Sequence, residues 1–126
     1  MLPKTHEECL LHLEKIRWSG VPHCPYCGST KATAYKSERR YRCNSCFTSY
    51  SVTVDTLFHR THVKLNIWFQ AIHLVLQSPK QVSIRQLARQ LGINKNTTAY
   101  MLTRIQKAMS EDPEFLRRLI GVDYFD

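Results

Sequence analysis

The sequence predicts an α+β protein, in which a small three-stranded ribbon with an N-terminal helix precedes an all-α helix-turn-helix domain. Three observations support this prediction: two closely spaced cysteine pairs, alternating polar and apolar residues after the second pair, and a helical period of apolar residues from Leu65 onward. At 126 residues the chain has room for one ordinary domain or two small ones. The expected segments are an N-terminal helix at 1–22, the ribbon at 23–60, the helix-turn-helix domain at 61–110 and a tail at 111–126.

The first helix is predicted from Thr5 to about Trp18. Thr5 and Glu8 have the spacing of a capping box, in which each side chain accepts a hydrogen bond from the backbone of the other residue. Apolar residues then recur at helical spacing, at Cys9, Leu10, Leu13 and Ile16. Because Cys9 lies on this stripe, we expect it to be a small buried side chain rather than a metal ligand or a nucleophile.

The two cysteine pairs are typical of a tetrahedral zinc site. Each has the C-x-x-C spacing of a tight knuckle, and the fifteen residues between the pairs can form a hairpin that brings the knuckles together. Two disulfides and a rubredoxin-like iron site are the alternatives. The polar first residues lack the apolar stretch of a signal peptide, which favours zinc over a secreted disulfide framework. The predicted ligands of one structural zinc ion are Cys24, Cys27, Cys43 and Cys46.

Three short strands are expected around these knuckles. The ranges 30–36 and 38–42 have the composition of two hairpin arms, and polar and apolar residues alternate over 48–54. A ribbon this small buries little apolar surface. We therefore expect metal binding to supply much of its folding free energy.

The second half of the chain has the pattern of three helices. The first runs from Leu65 to a stop at Ser78, the second is capped by Ser83 and ended by Gly92, and the third is capped by Asn94. Two helices joined by a tight turn that contains glycine are typical of a helix-turn-helix. A plain three-helix bundle is the alternative.

The net charge favours a polyanionic partner. Eighteen Lys and Arg against ten Asp and Glu give a formal charge of +8. Four thiolates and one zinc ion would lower it to about +6, which still favours double-stranded DNA as the partner. Apolar runs are short and interrupted by charges, so no membrane-spanning segment is predicted. We expect a cytoplasmic protein associated with the bacterial nucleoid.

The third helix of the second half is the predicted recognition helix. Helical geometry gives it one apolar face and one polar face without carboxylates, and the N-terminal residues of such a helix enter the major groove. The expected base contacts are Lys95, Asn96, Thr97, Tyr100 and Arg104. Phosphate contacts are expected from Arg85, Arg89 and Lys107, and from the ribbon residues Lys36, Arg39 and Arg40. Ribbon hairpins also serve structure or protein contacts, so DNA contact at the hairpin stays open.

These motifs resemble the N-terminal region of the zinc-ribbon DDE transposases of bacterial insertion sequences, which are related to Merlin elements. The resemblance rests on Cys24–Gly28, Tyr41–Cys46 and Thr56–Arg60 in the ribbon and on Gln86–Gly92 in the helix-turn-helix. It implies binding to terminal inverted repeats, and, in full-length members, an RNase H-like nuclease with an acidic triad. Asp123 falls where the first catalytic aspartate would stand, with no later member of the triad. We therefore assign no catalytic residue and expect no enzymatic activity.

The expected function is that of the DNA-binding portion of a truncated transposase, which binds terminal inverted repeats without cleaving them. A free-standing transcriptional regulator or repressor of transposition is one alternative. A transposase whose catalytic part comes from another chain or a frameshift product is a second. The expected partners are accordingly double-stranded DNA, a transposase chain or a second copy of this chain.

Overall fold

A computed structural model of the chain describes residues 3–35, 39–77 and 83–120. Within them the three strands form one antiparallel sheet in the order β1-β2-β3. The α+β prediction is confirmed. The elements in chain order are α1 (His6–Trp18), β1 (Ala32–Ala34), β2 (Tyr41–Cys43), β3 (Ser49–Tyr50), α2 (Leu65–Gln77), α3 (Ile84–Leu91), α4 (Lys95–Glu111) and α5 (Pro113–Ile120).

Thr5 caps α1 as predicted, but the Glu8 carboxylate accepts a hydrogen bond from the Lys4 N–H, at 3.2 Å, in place of the Thr5 N–H that a capping box requires. The Glu8 backbone N–H donates to the Thr5 hydroxyl at 3.1 Å, and Ser19 ends the helix in the left-handed conformation. Cys9 is completely buried, as expected. Burial, reinforced by the nearby Glu8 carboxylate, raises the pKa of Cys9 to about 11. The thiol is therefore protonated at neutral pH and contributes as a small apolar group.

The ribbon strands are shorter than their sequence pattern predicts. In the sheet, Tyr41 faces Ala34 on one side and Tyr50 on the other. The third strand ends at Tyr50 and does not reach residue 54, because the backbone turns there. The Val54 N–H donates to the Ser51 carbonyl at 3.3 Å, and the Thr56 N–H donates to the Thr53 carbonyl at 3.1 Å. The hairpin turn predicted near residues 37–39 falls largely outside the described residues.

One apolar core runs through the ribbon and the helices. In its ribbon half, the Trp18 ring packs edge-on against Tyr41 and Tyr50, with centroids 5.6 and 5.8 Å away. In its helical half, Phe58 packs against Trp68 at 5.4 Å. Helix α1 also contacts α2 and α5. The segment boundaries given from the sequence stay a prediction. In the part of the chain that the structure describes, no helix is long and apolar enough to cross a membrane.

Residues 51–64, the connecting segment, join the ribbon to α2 through turns and bends, with neither helix nor strand. Backbone carbonyls without a regular ladder need other donors. The Arg17 Nη1 atom donates to the carbonyls of Val52 and Val54, at 2.7 and 2.9 Å. From the other side, the Arg104 Nη1 atom donates to two further carbonyls at 2.8 and 2.9 Å, those of Leu57 and His59.

Replacement of Arg17 by Met should lower the free energy of unfolding by about 1–2 kcal/mol, because two carbonyls lose a charged donor. Lys15→Met, at an exposed position of the same helix, should change it by less than about 0.5 kcal/mol. Urea unfolding of the zinc-loaded protein, followed by tryptophan fluorescence, measures both. Equal midpoints for the two variants would show that the Arg17 hydrogen bonds add no stability.

Candidate metal centre and nucleic-acid interface

The structure brings the four predicted zinc ligands together. The Sγ atoms of Cys24 and Cys46 lie 3.6 Å apart, those of Cys27 and Cys43 lie 3.5 Å apart, and all four lie within 4.8 Å of one another. Sulfur atoms that bind one zinc ion tetrahedrally, at about 2.3 Å each, lie about 3.8 Å from one another. The cysteine cluster therefore has the dimensions of a closed site with four protein ligands.

Both knuckles are built by the same backbone turn. The Gly28 N–H donates to the Cys24 carbonyl at 2.9 Å, and the Phe47 N–H donates to the Cys43 carbonyl at 2.9 Å. Gly28 and Phe47 both have a positive φ, of 79° and 64°. The two C-x-x-C motifs therefore have matching geometry, and Phe47 occupies the position that Gly28 has in the first knuckle.

The electrostatics of the cysteine cluster call for a cation. The Cys46 N–H, which lies 3.4 Å from the Cys43 sulfur, the Ser45 N–H and the neighbouring thiols together lower the pKa of Cys43 to about 6, against the opposing effect of burial. The Ser29 N–H lowers the pKa of Cys27, but hydrogen bonding with the Cys43 sulfur, burial and the other sulfurs together raise it to about 12. Four thiols this close cannot all ionise without a compensating positive charge. One zinc ion would supply it.

Tyr50 adds a polar group beside the cysteine cluster. Its side chain is completely buried, and its hydroxyl has no hydrogen-bond partner among the described residues. Burial is the main cause that raises the pKa of Tyr50 to about 12, and the negative charges of the nearby Cys24 and Cys43 add to it. The hydroxyl therefore stays protonated within electrostatic reach of the sulfur atoms.

The helix-turn-helix geometry agrees with the sequence. Ser83 caps α3, and Gly92 ends it in the left-handed conformation with a φ of 70°. The N–H groups of Gly92 and Ile93 both donate to the Ala88 carbonyl, at 2.9 and 3.2 Å. The Asn94 side chain then accepts a hydrogen bond from the first turn of α4 at 2.8 Å. These caps fix the turn between α3 and α4.

Helix α4 has the two faces that its sequence predicts. Its buried side chains, Thr98, Met101, Leu102 and Ile105, pack into the core. Thr97 is half-buried, and the exposed candidates are Lys95, Asn96, Tyr100 and Lys107. On α3, Arg85 and Arg89 are exposed as well. All of these positions stay predicted DNA contacts.

Arg104 has internal partners that the sequence alone does not reveal. Its guanidinium holds the connecting segment through two carbonyls and lies over the Tyr100 ring, 4.9 Å from the centroid. The Tyr100 ring in turn meets Trp68 edge-on at 6.3 Å. Arg104 therefore positions α4 against the connecting segment, and its contact with a base stays a prediction.

The ribbon cations also have internal partners. A carboxylate oxygen of Glu14 accepts a hydrogen bond from the Tyr41 hydroxyl at 2.9 Å, and the other lies 3.6 Å from the Arg39 guanidinium. Because Glu14 is buried, its carboxylate needs such partners. Arg40 donates to the Ser49 hydroxyl at 3.1 Å.

Lys36 lies outside the described residues. The DNA contacts of Lys36, Arg39 and Arg40 stay predictions. The sequence contains no strong signal for the internal role of Glu14 or Arg17, because both lie beside the apolar stripe of α1 as ordinary helix-surface charges would.

Comparison with known protein families finds two separate matches in the chain. Residues 4–49 match the transposase zinc-ribbon domain, and residues 76–111 match the HTH DNA binding domain. Residues 4–49 are therefore similar to a transposase zinc ribbon, and residues 76–111 are similar to a DNA-binding helix-turn-helix. The predicted resemblance and the predicted cofactor, one structural zinc ion held by the cysteine cluster, are thereby confirmed.

A relative from a mobile element agrees with this assignment. The chain aligns over 116 residues, at 28% identity, with a Halobacterium salinarum protein described as an uncharacterized protein in transposable element ISH50. The alignment covers 90% of this chain and 39% of the relative, so this chain spans well under half of the relative's length. No solved structure matches the chain.

Substitution of Cys43 by Ser should abolish stoichiometric zinc binding and the cooperative unfolding of the ribbon, because a tetrahedral site loses one thiolate. Cys9→Ala is the matched control, since Cys9 is equally buried but lies outside the cysteine cluster. It should retain one zinc ion per chain. Metal analysis and competition with a chelator measure both variants. Full zinc content in Cys43→Ser would contradict the four-ligand site.

Replacement of Arg104 by Met should lower the free energy of unfolding by about 1–3 kcal/mol, because two carbonyls of the connecting segment lose their charged donor. Lys107→Met removes an exposed charge from the same helix and should cost less than about 0.5 kcal/mol. Urea unfolding compares the two. A wild-type midpoint for Arg104→Met would leave Arg104 free for a role in DNA binding alone.

Proposed function

We propose that this chain is the DNA-binding part of an insertion-sequence transposase, and that it recognises the terminal inverted repeats of its element. The observation that carries the proposal is the position of α4 as the second helix of a helix-turn-helix, with one polar face exposed and the opposite, apolar face buried. Between Asp55 and Glu111 the sequence has eight Lys or Arg and no carboxylate. A duplex therefore meets no repulsive charge along this half of the chain.

The exposed first turn of α4 has the chemistry for base recognition. An amide such as that of Asn96 pairs in two places with the major-groove edge of adenine, and an ammonium such as that of Lys95 suits guanine. Arg85 and Arg89 on α3 are exposed where the first helix of such a motif crosses the phosphate backbone. Base contacts on α4 would specify the sequence, and contacts from α3 would set the orientation.

Binding without cleavage is the second part of the proposal. Two-metal phosphoryl transfer needs several carboxylates that converge on one site. Among the described residues, only the cysteine cluster brings together three or more His, Cys, Asp or Glu side chains that could hold a metal ion. With four protein ligands it has no open position for a substrate. This supports a role in which the chain places a transposase at the ends of its element.

Asn96→Ala should weaken binding to terminal-repeat DNA by about 1–3 kcal/mol, because one base contact is lost. It should leave binding to a random duplex nearly unchanged. Gln106→Ala, at an exposed position farther along α4, is the matched control and should bind both duplexes like the wild type. Fluorescence anisotropy with labelled duplexes at one fixed salt concentration measures all three proteins. Equal affinity of the wild type for terminal-repeat and random DNA would contradict specific recognition.

A further inference from the structure

Phe47 stands at the tip of the second zinc knuckle with 66% of its surface exposed. Its φ of 64° lies in the left-handed region, which favours glycine. Gly28 is the equivalent residue of the first knuckle and makes the same backbone hydrogen bond. The knuckle turn is therefore compatible with glycine, and the aromatic ring at this position is not needed to form it.

Packing does not account for Phe47 either. The side chain contributes little to the core, since most of it faces solvent. Its ring makes a cation–π contact with the Arg42 guanidinium, which lies 5.3 Å from the ring centroid. A bulky residue held in a strained conformation without a packing role is typical of a functional contact.

The surroundings of Phe47 indicate what it contacts. Between Gly20 and Val54 the sequence has five Lys or Arg and a single carboxylate, that of Glu38. Arg39 and Arg40 have partners within the protein, whereas Arg42 is exposed beside the ring. A cationic surface with an exposed aromatic ring matches the charge and the flat bases of nucleic acid.

We propose that Phe47 and Arg42 form a second DNA contact, made with the same duplex that the helix-turn-helix binds. Arg42 neutralises a phosphate, and the Phe47 ring packs against a base or sugar in the adjacent groove. This inference rests on the proposed function of α4. It assigns to the zinc the role of holding a DNA-binding side chain in place as well as folding the ribbon.

Phe47→Gly tests the aromatic contact in the full zinc-loaded chain. The variant should retain one zinc ion and be at least as stable as the wild type, because glycine removes the backbone strain. Its affinity for terminal-repeat duplex should fall about five-fold or more, as expected for the loss of one aromatic contact. The slope of log affinity against log salt should stay unchanged. Leu11→Ala, which trims an exposed apolar side chain of α1, should bind DNA like the wild type.

Arg42→Gln tests the ionic contact. It should reduce the magnitude of the salt slope by about 0.9, since one phosphate contact is lost. Lys15→Gln removes an exposed charge from α1 and should leave the slope unchanged. Together the two ribbon variants separate a contact that is independent of salt from one that depends on it.

This inference would be overturned if Phe47→Gly and Arg42→Gln both bound DNA with the affinity and salt slope of the wild type while Asn96→Ala still bound more weakly. That result would leave the proposed function intact and would point to a protein partner for Phe47. Failure of the wild type to bind any duplex would overturn both. Phe47→Asn provides a second test, because asparagine tolerates the left-handed conformation. Loss of zinc in both Phe47 variants would show that the ring is structural and overturn the proposal.

Discussion

The ribbon depends on the four cysteine sulfurs and the zinc ion that they are placed to hold. Its strands have three, three and two residues, so the sheet has few hydrogen bonds with which to offset the entropy of ordering the chain. Metal coordination supplies that free energy directly. Metal binding also stabilises the packing beyond the ribbon, because Tyr41 and Tyr50 pack against Trp18 of α1. Helix α1 in turn contacts α2 and α5.

The connecting segment shows how the ribbon and the helix-turn-helix are joined. It has neither helix nor strand, so its carbonyls take their donors from two arginines on different helices, Arg17 and Arg104. Arg104 belongs to α4, the helix proposed to enter the major groove. The helix that we propose as the DNA-recognition helix therefore also anchors the segment leading back to the ribbon. Each element limits the freedom of the other, as the two proposed DNA contacts on one duplex require.

The positive charges serve two purposes that the sequence does not separate. Arg39 lies against the buried carboxylate of Glu14, whereas Arg42 lies exposed over the Phe47 ring. Both arginines belong to the same short basic run of the sequence. A polyanion attracts all of them, but only the exposed ones exchange water for phosphate at little structural cost. The net charge thus indicates the partner without identifying the contacts.

The sequence by itself determined the features that depend on near neighbours. The caps at Thr5, Ser83 and Asn94 and the turn at Gly92 follow from spacings of a few residues. The spacing within each C-x-x-C pair likewise defined the metal knuckles. The periodicity of α4 correctly separated its buried from its exposed face, because every turn of a helix repeats the same geometry.

Only the tertiary structure decided the features that depend on distant residues. The strand β3 ends at Tyr50 because turns that join the ribbon to α2 follow it. The internal role of Arg104 follows from carbonyls more than forty residues away. Phe47 follows its cysteine pair as Gly28 follows the other one, but its left-handed backbone and its exposed ring are visible only in the folded knuckle. Local spacing fixes which elements form, but the partner of a long side chain depends on how those elements pack.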